Sequence, residues 1–98
     1  MPINNPPGEA HRELLKEHAA ELQHEETVVL TKLAETFGEG NFHIEPEGDV
    51  ICRETDEELG LEKTKVKMEA EEALKRIYTQ RDSIKRSDPN AWRETAVH

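Results

Sequence analysis

Aromatic residues are scarce in this chain: two phenylalanines, one tyrosine and one tryptophan among 98 residues. Any core must therefore be built from Leu, Ile, Val and Ala. Those are also in short supply, with hydrophobic residues at 34% and charged residues at 36%. Together with a formal net charge of −9, this places the composition at the edge of the class that stays disordered. There is one cysteine, Cys52, which excludes an intrachain disulfide framework and a four-thiolate zinc site. A single thiol suits a reducing compartment. No apolar run approaches the roughly 18 residues that span a bilayer. Met1-Pro2-Ile3-Asn4-Asn5 has neither the basic nor the apolar region of a signal peptide. The expected location is cytoplasmic. The deficit of positive charge argues against direct binding to nucleic acid or to an anionic membrane, since both repel an acidic surface.

The charge is sorted along the chain. Residues 1–62 hold sixteen acids and four bases, whereas residues 63–98 hold six acids and nine bases. Each part contains one long helical pattern. In the first, Asn5-Pro6-Pro7-Gly8 is a helix entry, with Asn5 able to cap and proline tolerated in the first turn. Residues 8–37 then read as one helix behind a flexible N-terminus, residues 1–7. Leu15, Leu22 and Val29 recur every seven residues, Ala19 and Leu33 fill the intermediate stations, and Glu26 breaks the seam. Leu14, Val28 and Leu30 are expected to widen it. Gly38 suits the position just past the helix end.

Residues 41–53 change period. Asn41-Phe42-His43-Ile44-Glu45 alternates, Pro46-Glu47-Gly48-Asp49 is a turn sequence, and Val50-Ile51-Cys52 is β-prone. Together they read as a β-hairpin. An isolated hairpin is marginal in water, so Phe42 and Ile44 must rest on a helix, or a second copy must extend the sheet. A second helix over 56–87 opens on Thr55 and Glu58, which have capping-box spacing. Gly60 weakens its first turn, so the regular helix is expected nearer Glu62. Val66, Ala70, Ala73, Ile77 and Ile84 form its seam, with Gln80 in the gap and Leu74 and Tyr78 as flanks. Ser87-Asp88-Pro89 ends it. The same residues can start a short terminal helix, with Asp88 as cap and Pro89 at the first position, so that 88–98 forms a terminal turn and tail.

The expected fold is α+β, predominantly α. Two long antiparallel amphipathic helices are joined by a β-hairpin in the order α-β-β-α, followed by a short C-terminal helical turn, all in one small domain over 1–98. In that arrangement Glu25 and Glu26 lie near Leu74 to Ile77, Leu33 near Val66, and His18 near Arg81. A helix hairpin leaves one apolar flank open, which two copies close as a four-helix bundle. So thin a core also favours oligomerisation.

Four constellations invite chemistry, and each has a plainer reading. Glu21-Leu22-Gln23-His24 has the Glu-x-x-His spacing that di-metal bundles use to set two ligands on one face. Leu22 belongs to the seam, however, so Glu21 and His24 point to its sides, and a solvated face is favoured. His11, His18 and Glu25 form a polar edge of metal-ligand types. Their seven-residue steps separate them by roughly 10.5 Å along the axis, too far for one ion, and pairing with Arg81 or Lys85 is the better account. Cys52 next to Arg53, with His43 across the hairpin, resembles the start of a thiolate–imidazole pair. Nothing supplies an oxyanion hole, and a small apolar thiol in a strand is commoner. Gly38-Glu39-Gly40 is not a phosphate loop, because Glu39 repels phosphate and no lysine follows at the required spacing.

The bases Lys63, Lys65, Lys67, Lys75, Arg76, Arg81, Lys85 and Arg86 are spread around the polar arc of the second helix and interleaved with acids. Ion pairing with the acidic first helix is their expected use. Trp92 is either a cover for one end of the core or a binding hot spot, with the cover favoured. No residue pattern meets the geometric demands of catalysis, and no cofactor is implied. The expected function is a non-enzymatic interaction, adaptor or regulatory protein acting as a homodimer through its helices, with Leu15, Leu22, Val29, Ile77 and Trp92 as interaction residues. An alternative is an acidic decoy, in which Glu9, Glu13, Glu17, Glu21, Glu25, Glu35 and Glu39 occupy the basic groove of a nucleic-acid-binding protein and inhibit it. A further alternative is a metal-binding bundle using Glu21, His24 and His18.

Overall fold

The structure is a computed structural model and describes residues 7–96. Helix α1 spans Pro7–Phe37. Strands β1 (Phe42–Ile44) and β2 (Val50–Cys52) form an antiparallel hairpin. Helix α2 spans Asp56–Ser87, and a short helix α3 spans Pro89–Ala96. The fold is predominantly helical, in the expected α-β-β-α order with a C-terminal helix. The Asn5 cap and the N-terminal segment before Pro7 lie outside the described residues. No helix among the described residues is long and apolar enough to cross a membrane.

Local chemistry sets most of the boundaries. At the end of α1 the Gly38 N–H bonds back to the Ala34 carbonyl at 2.9 Å, and the Asn41 side-chain amide donates to the Phe37 carbonyl at 2.9 Å. Both satisfy carbonyls that a helix end leaves open. Gly60 has φ 78° and ψ 172°, so it kinks α2 after its first turn. The regular helix begins beyond it, as the sequence suggested. Asp88 caps α3: its Oδ1 accepts the Asn90 N–H at 3.1 Å. The expected capping box at Thr55 is not made. Thr55 has a suitable extended backbone but no side-chain bond to the helix, and its hydroxyl instead donates to the Glu58 carboxylate at 2.9 Å. The two side chains satisfy each other rather than the backbone.

The helices α1 and α2 run antiparallel around a core in which Leu22, Leu33, Leu74, Ile77 and Val50 are the largest fully buried side chains. Two expectations about the stripes need correction. Leu74 and Tyr78 are buried, while Val66 and Ala73 are only half-buried. The buried stripe of α2 is rotated towards the side on which the hairpin lies. On α1, Leu30 does pack against the core, but Leu14 and Val28 are 64% and 54% exposed. They sit on the opposite flank of the helix, where nothing among the described residues covers them.

The hairpin rests on α2. The Val50 N–H donates to Glu71 Oε2 at 3.0 Å, and Lys75 Nζ pairs with Asp49 at 2.9 Å. The hydrogen bond and charge of Asp49 hold the Lys75 ammonium above its ordinary range. Phe42 and Phe37 meet in a tilted pair, with centroids 6.4 Å apart and planes inclined 56°. Helix α3 folds back over the other end, near the start of α1. Arg12 pairs with Asp88 at 3.3 Å, Ala91 is fully buried, and the Gln23 amide donates to the Trp92 carbonyl at 3.3 Å. The result is a rod with a radius of gyration of 17.2 Å, against roughly 12.5 Å for a compact chain of this length.

Candidate interaction surface

Helical geometry divides the rod into a covered face and an open one. On α1, Arg12 and Gln23 reach α3. A side chain three to four residues along the helix returns to the same face. By that count Leu14, Val28 and Lys32 share the opposite flank. On α2, Glu71 and Lys75 carry the hairpin, whereas Glu69 and Ala73 face the other way. Between these open flanks lies a groove of about 230 Å³, lined by Val28, Val29, Lys32, Val66, Glu69 and Ala70. It continues along α2 past Glu72 and Ala73 to Arg76, whose guanidinium donates to Glu25 at 2.6 Å. The floor is aliphatic. Its two charged margins, Lys32 on α1 and Glu69 on α2, make no ion pair among the described residues.

The expected interaction residues take different places. Leu22 and Ile77 are wholly buried between the chain's own helices, so they hold the surface in place rather than form it. Leu15 and Val29 are half-buried and pack on the core from its edges, and Val29 also lines the groove. Trp92 is half-buried against the core end under α3, the geometry of a cover. The arrangement brings Glu25 to Arg76, inside the expected stretch of α2.

The metal candidates do not assemble. Glu21, His24 and His18 are all exposed, and no group of three metal-ligating side chains converges among the described residues. The strand register separates the thiol from its candidate base. Phe42 is paired with Cys52, and His43 with Ile51. Directly paired residues share a face of the sheet, and successive residues alternate. Cys52 therefore lies with Phe42 on the core side, and His43 lies with Ile51 on the outer side. The Arg81 guanidinium stacks over the Tyr78 ring, 4.3 Å from its centroid.

Tyr78 is strongly perturbed. Its desolvation by burial, then a hydrogen bond to Glu26 and that carboxylate's charge, push the phenol up to about 12. Ionisation is disfavoured in the folded state relative to an unfolded phenol near 10. The stability this provides is fully present below about pH 10 and is lost as pH rises through about 12. Tyr78 is the sole tyrosine, so ultraviolet absorbance titration reads it alone. Phenolate should appear about two pH units above that of the urea-unfolded chain, and Tyr78→Phe should remove this part of the alkaline stability loss. A phenol titrating near 10 in the folded protein would contradict the Glu26 contact.

No family model matches the chain, and no curated protein or solved structure matches it either.

The groove was only partly legible in advance. Sequence period places Val29 and Val66 in internal seams and sets Leu14 and Val28 beside the α1 seam, whereas the structure leaves Leu14 and Val28 exposed and brings Val28, Val29 and Val66 to the groove. The usable signal was the fourteen-residue step from Leu14 to Val28, which sets two large apolar residues on one line of α1, away from Leu15, Leu22 and Val29.

Proposed function

We propose that this chain is a non-enzymatic interaction protein, an adaptor or regulator that acts as a homodimer through its helices in the cytoplasm. The observation that supports this most directly is the uncovered aliphatic groove on a rod whose own core is thin. Exposed apolar residues scattered singly need no explanation, but a contiguous set between two helices invites a partner. Association would supply the burial that the composition withholds. Sedimentation or light scattering at micromolar concentration should return twice the 11.2 kDa chain mass. A well-folded monomer across that range would remove the homodimer from the proposal.

A second reading has an observation of its own. Glu13, Glu17 and Glu21 are exposed and recur every four residues, which aligns them along one outward line of α1. Such a line could enter the basic groove of a nucleic-acid-binding protein as a decoy. It predicts a basic partner whose affinity falls steeply with salt. Binding that is unchanged between low and high salt would dismiss it.

A further inference from the structure

We propose that the groove between α1 and α2 receives the same groove of a second copy, with the two-fold axis running along the helices and α1 of each copy lying over α2 of the other. The inference rests on the homodimer reading and adds the surface, the orientation and the pairs that fix the register.

An isologous contact must be self-complementary, because each patch meets its own duplicate. The groove meets that condition in composition. Its floor is Val28, Val29, Val66 and Ala70, with a cation on the α1 margin and an anion on the α2 margin. A two-fold along the rod exchanges the margins. Lys32 of one copy then faces Glu69 of the other, twice per dimer. A two-fold across the rod would instead stack α1 on α1. Helix α1 carries seven acids against three bases, so that orientation sets like charge on like charge. Residues 63–87 of α2 carry eight bases against four acids, so the crossed orientation sets unlike on unlike.

Size is sufficient. A standard interface takes about 800 Å² from each partner. On a rod 22 Å wide that needs roughly 36 Å of length, about seven helical turns. Helix α1 alone, at 31 residues, is roughly 46 Å long. The face is also clear of the chain's other elements, since α3 and the hairpin lie on the opposite side. Leu14 lies on the same α1 flank beyond the groove, with Glu21 on the line between it and Val28. The product is a four-helix layer with both hairpins and both terminal helices outside it.

The test is the dimer dissociation constant of the full chain by sedimentation equilibrium, with circular dichroism as the check on folding. Lys32→Glu and Glu69→Lys should each weaken the dimer roughly tenfold or more, since reversal turns two attractions into two repulsions. The double swap should return it to within about threefold of the parent, because the pairs are restored with their signs exchanged. Val28→Arg, at an exposed position, should weaken it roughly a hundredfold by burying an unpaired charge. Met68→Glu is the control: Met68 is 63% exposed but lies off the groove, and dimerisation should be unchanged. A dimer indifferent to Val28→Arg and to both single reversals would overturn the inference while leaving the homodimer standing. Reversals that weaken the dimer without recovery in the double swap would overturn the orientation. A parent chain that stays monomeric would end both the inference and the reading beneath it.

Discussion

Ile77→Ala is expected to destabilise the protein by about 2–5 kcal/mol, and Leu22→Ala by a similar amount. Both side chains are wholly buried where α1 and α2 face each other. Truncation removes transfer free energy and leaves a cavity that a straight helix cannot collapse to fill. A domain of this size has only roughly 5–15 kcal/mol in total, so either change should bring the chain close to its unfolding threshold. Urea denaturation followed by circular dichroism reads the effect, at one fixed protein concentration because association adds to apparent stability. Leu14→Ala is the internal comparison. It removes a leucine of the same helix, but one that is exposed, and the folded monomer should lose no more than about 0.5 kcal/mol. If Ile77 and Leu14 gave equal losses, the assignment of covered and open flanks would be wrong.

That comparison also marks how far the sequence could be read. Period and punctuation were enough to place every element. The seven-residue steps of Leu15, Leu22 and Val29, the switch to alternation at Phe42 and the Asp88-Pro89 restart correspond to α1, β1 and α3. Gly60 was visible as a weak point and is the kink. Which flank of a helix is buried was harder to read, because the helix's own sequence does not decide it. Leu14 and Leu15 are adjacent and chemically identical. Leu15 packs on the core and Leu14 does not, and the difference is made by where α2 and α3 come to lie. The same holds for Leu74 against Ala73, where the side of α2 chosen by the hairpin settles which is enclosed. Side-chain competition at caps was also hidden. Thr55 and Glu58 have the spacing of a reciprocal cap, yet they bond to each other.

The candidate surface follows from the same limit. Lys32 and Glu69 are ordinary charged residues until the helices are set side by side, and only then do they flank one groove. The Glu-x-x-His tetrad and the Cys52–His43 pair were visible as strings of ligand and nucleophile types. Register separates Cys52 from His43, and no third ligand joins Glu21 and His24 among the described residues, because a short motif fixes spacing along one element and says nothing of what stands opposite. The open groove therefore rests on tertiary placement, and the acidic line of Glu13, Glu17 and Glu21 on sequence period alone.

Gly48→Ala should release the hairpin from α2. Gly48 has φ +106°, a conformation that an alanine adopts only under strain, which alone costs roughly 1–3 kcal/mol. A Cβ there would also stand 2.9 Å from the Lys75 backbone nitrogen and 3.1 Å from its Cα. Helix backbone cannot yield as a side chain can, so the turn must lift. Lifting it stretches the Asp49–Lys75 pair and the bond from the Val50 N–H to Glu71, and it loosens the burial of Val50, itself worth about 1.5–3 kcal/mol when complete. Gly40 supplies the control. It has a similar φ of +83°, but a Cβ there would meet nothing within 4 Å. Gly40→Ala should therefore show the strain alone, and the difference between the two variants isolates the docking contact. Amide exchange gives a local readout: protection of the Val50 N–H should be lost in Gly48→Ala and kept in Gly40→Ala. Equal stability losses with Val50 protected in both would mean that the hairpin stays docked on α2 through the Glu71 bond, and that the close approach of Gly48 to Lys75 is not what holds it there.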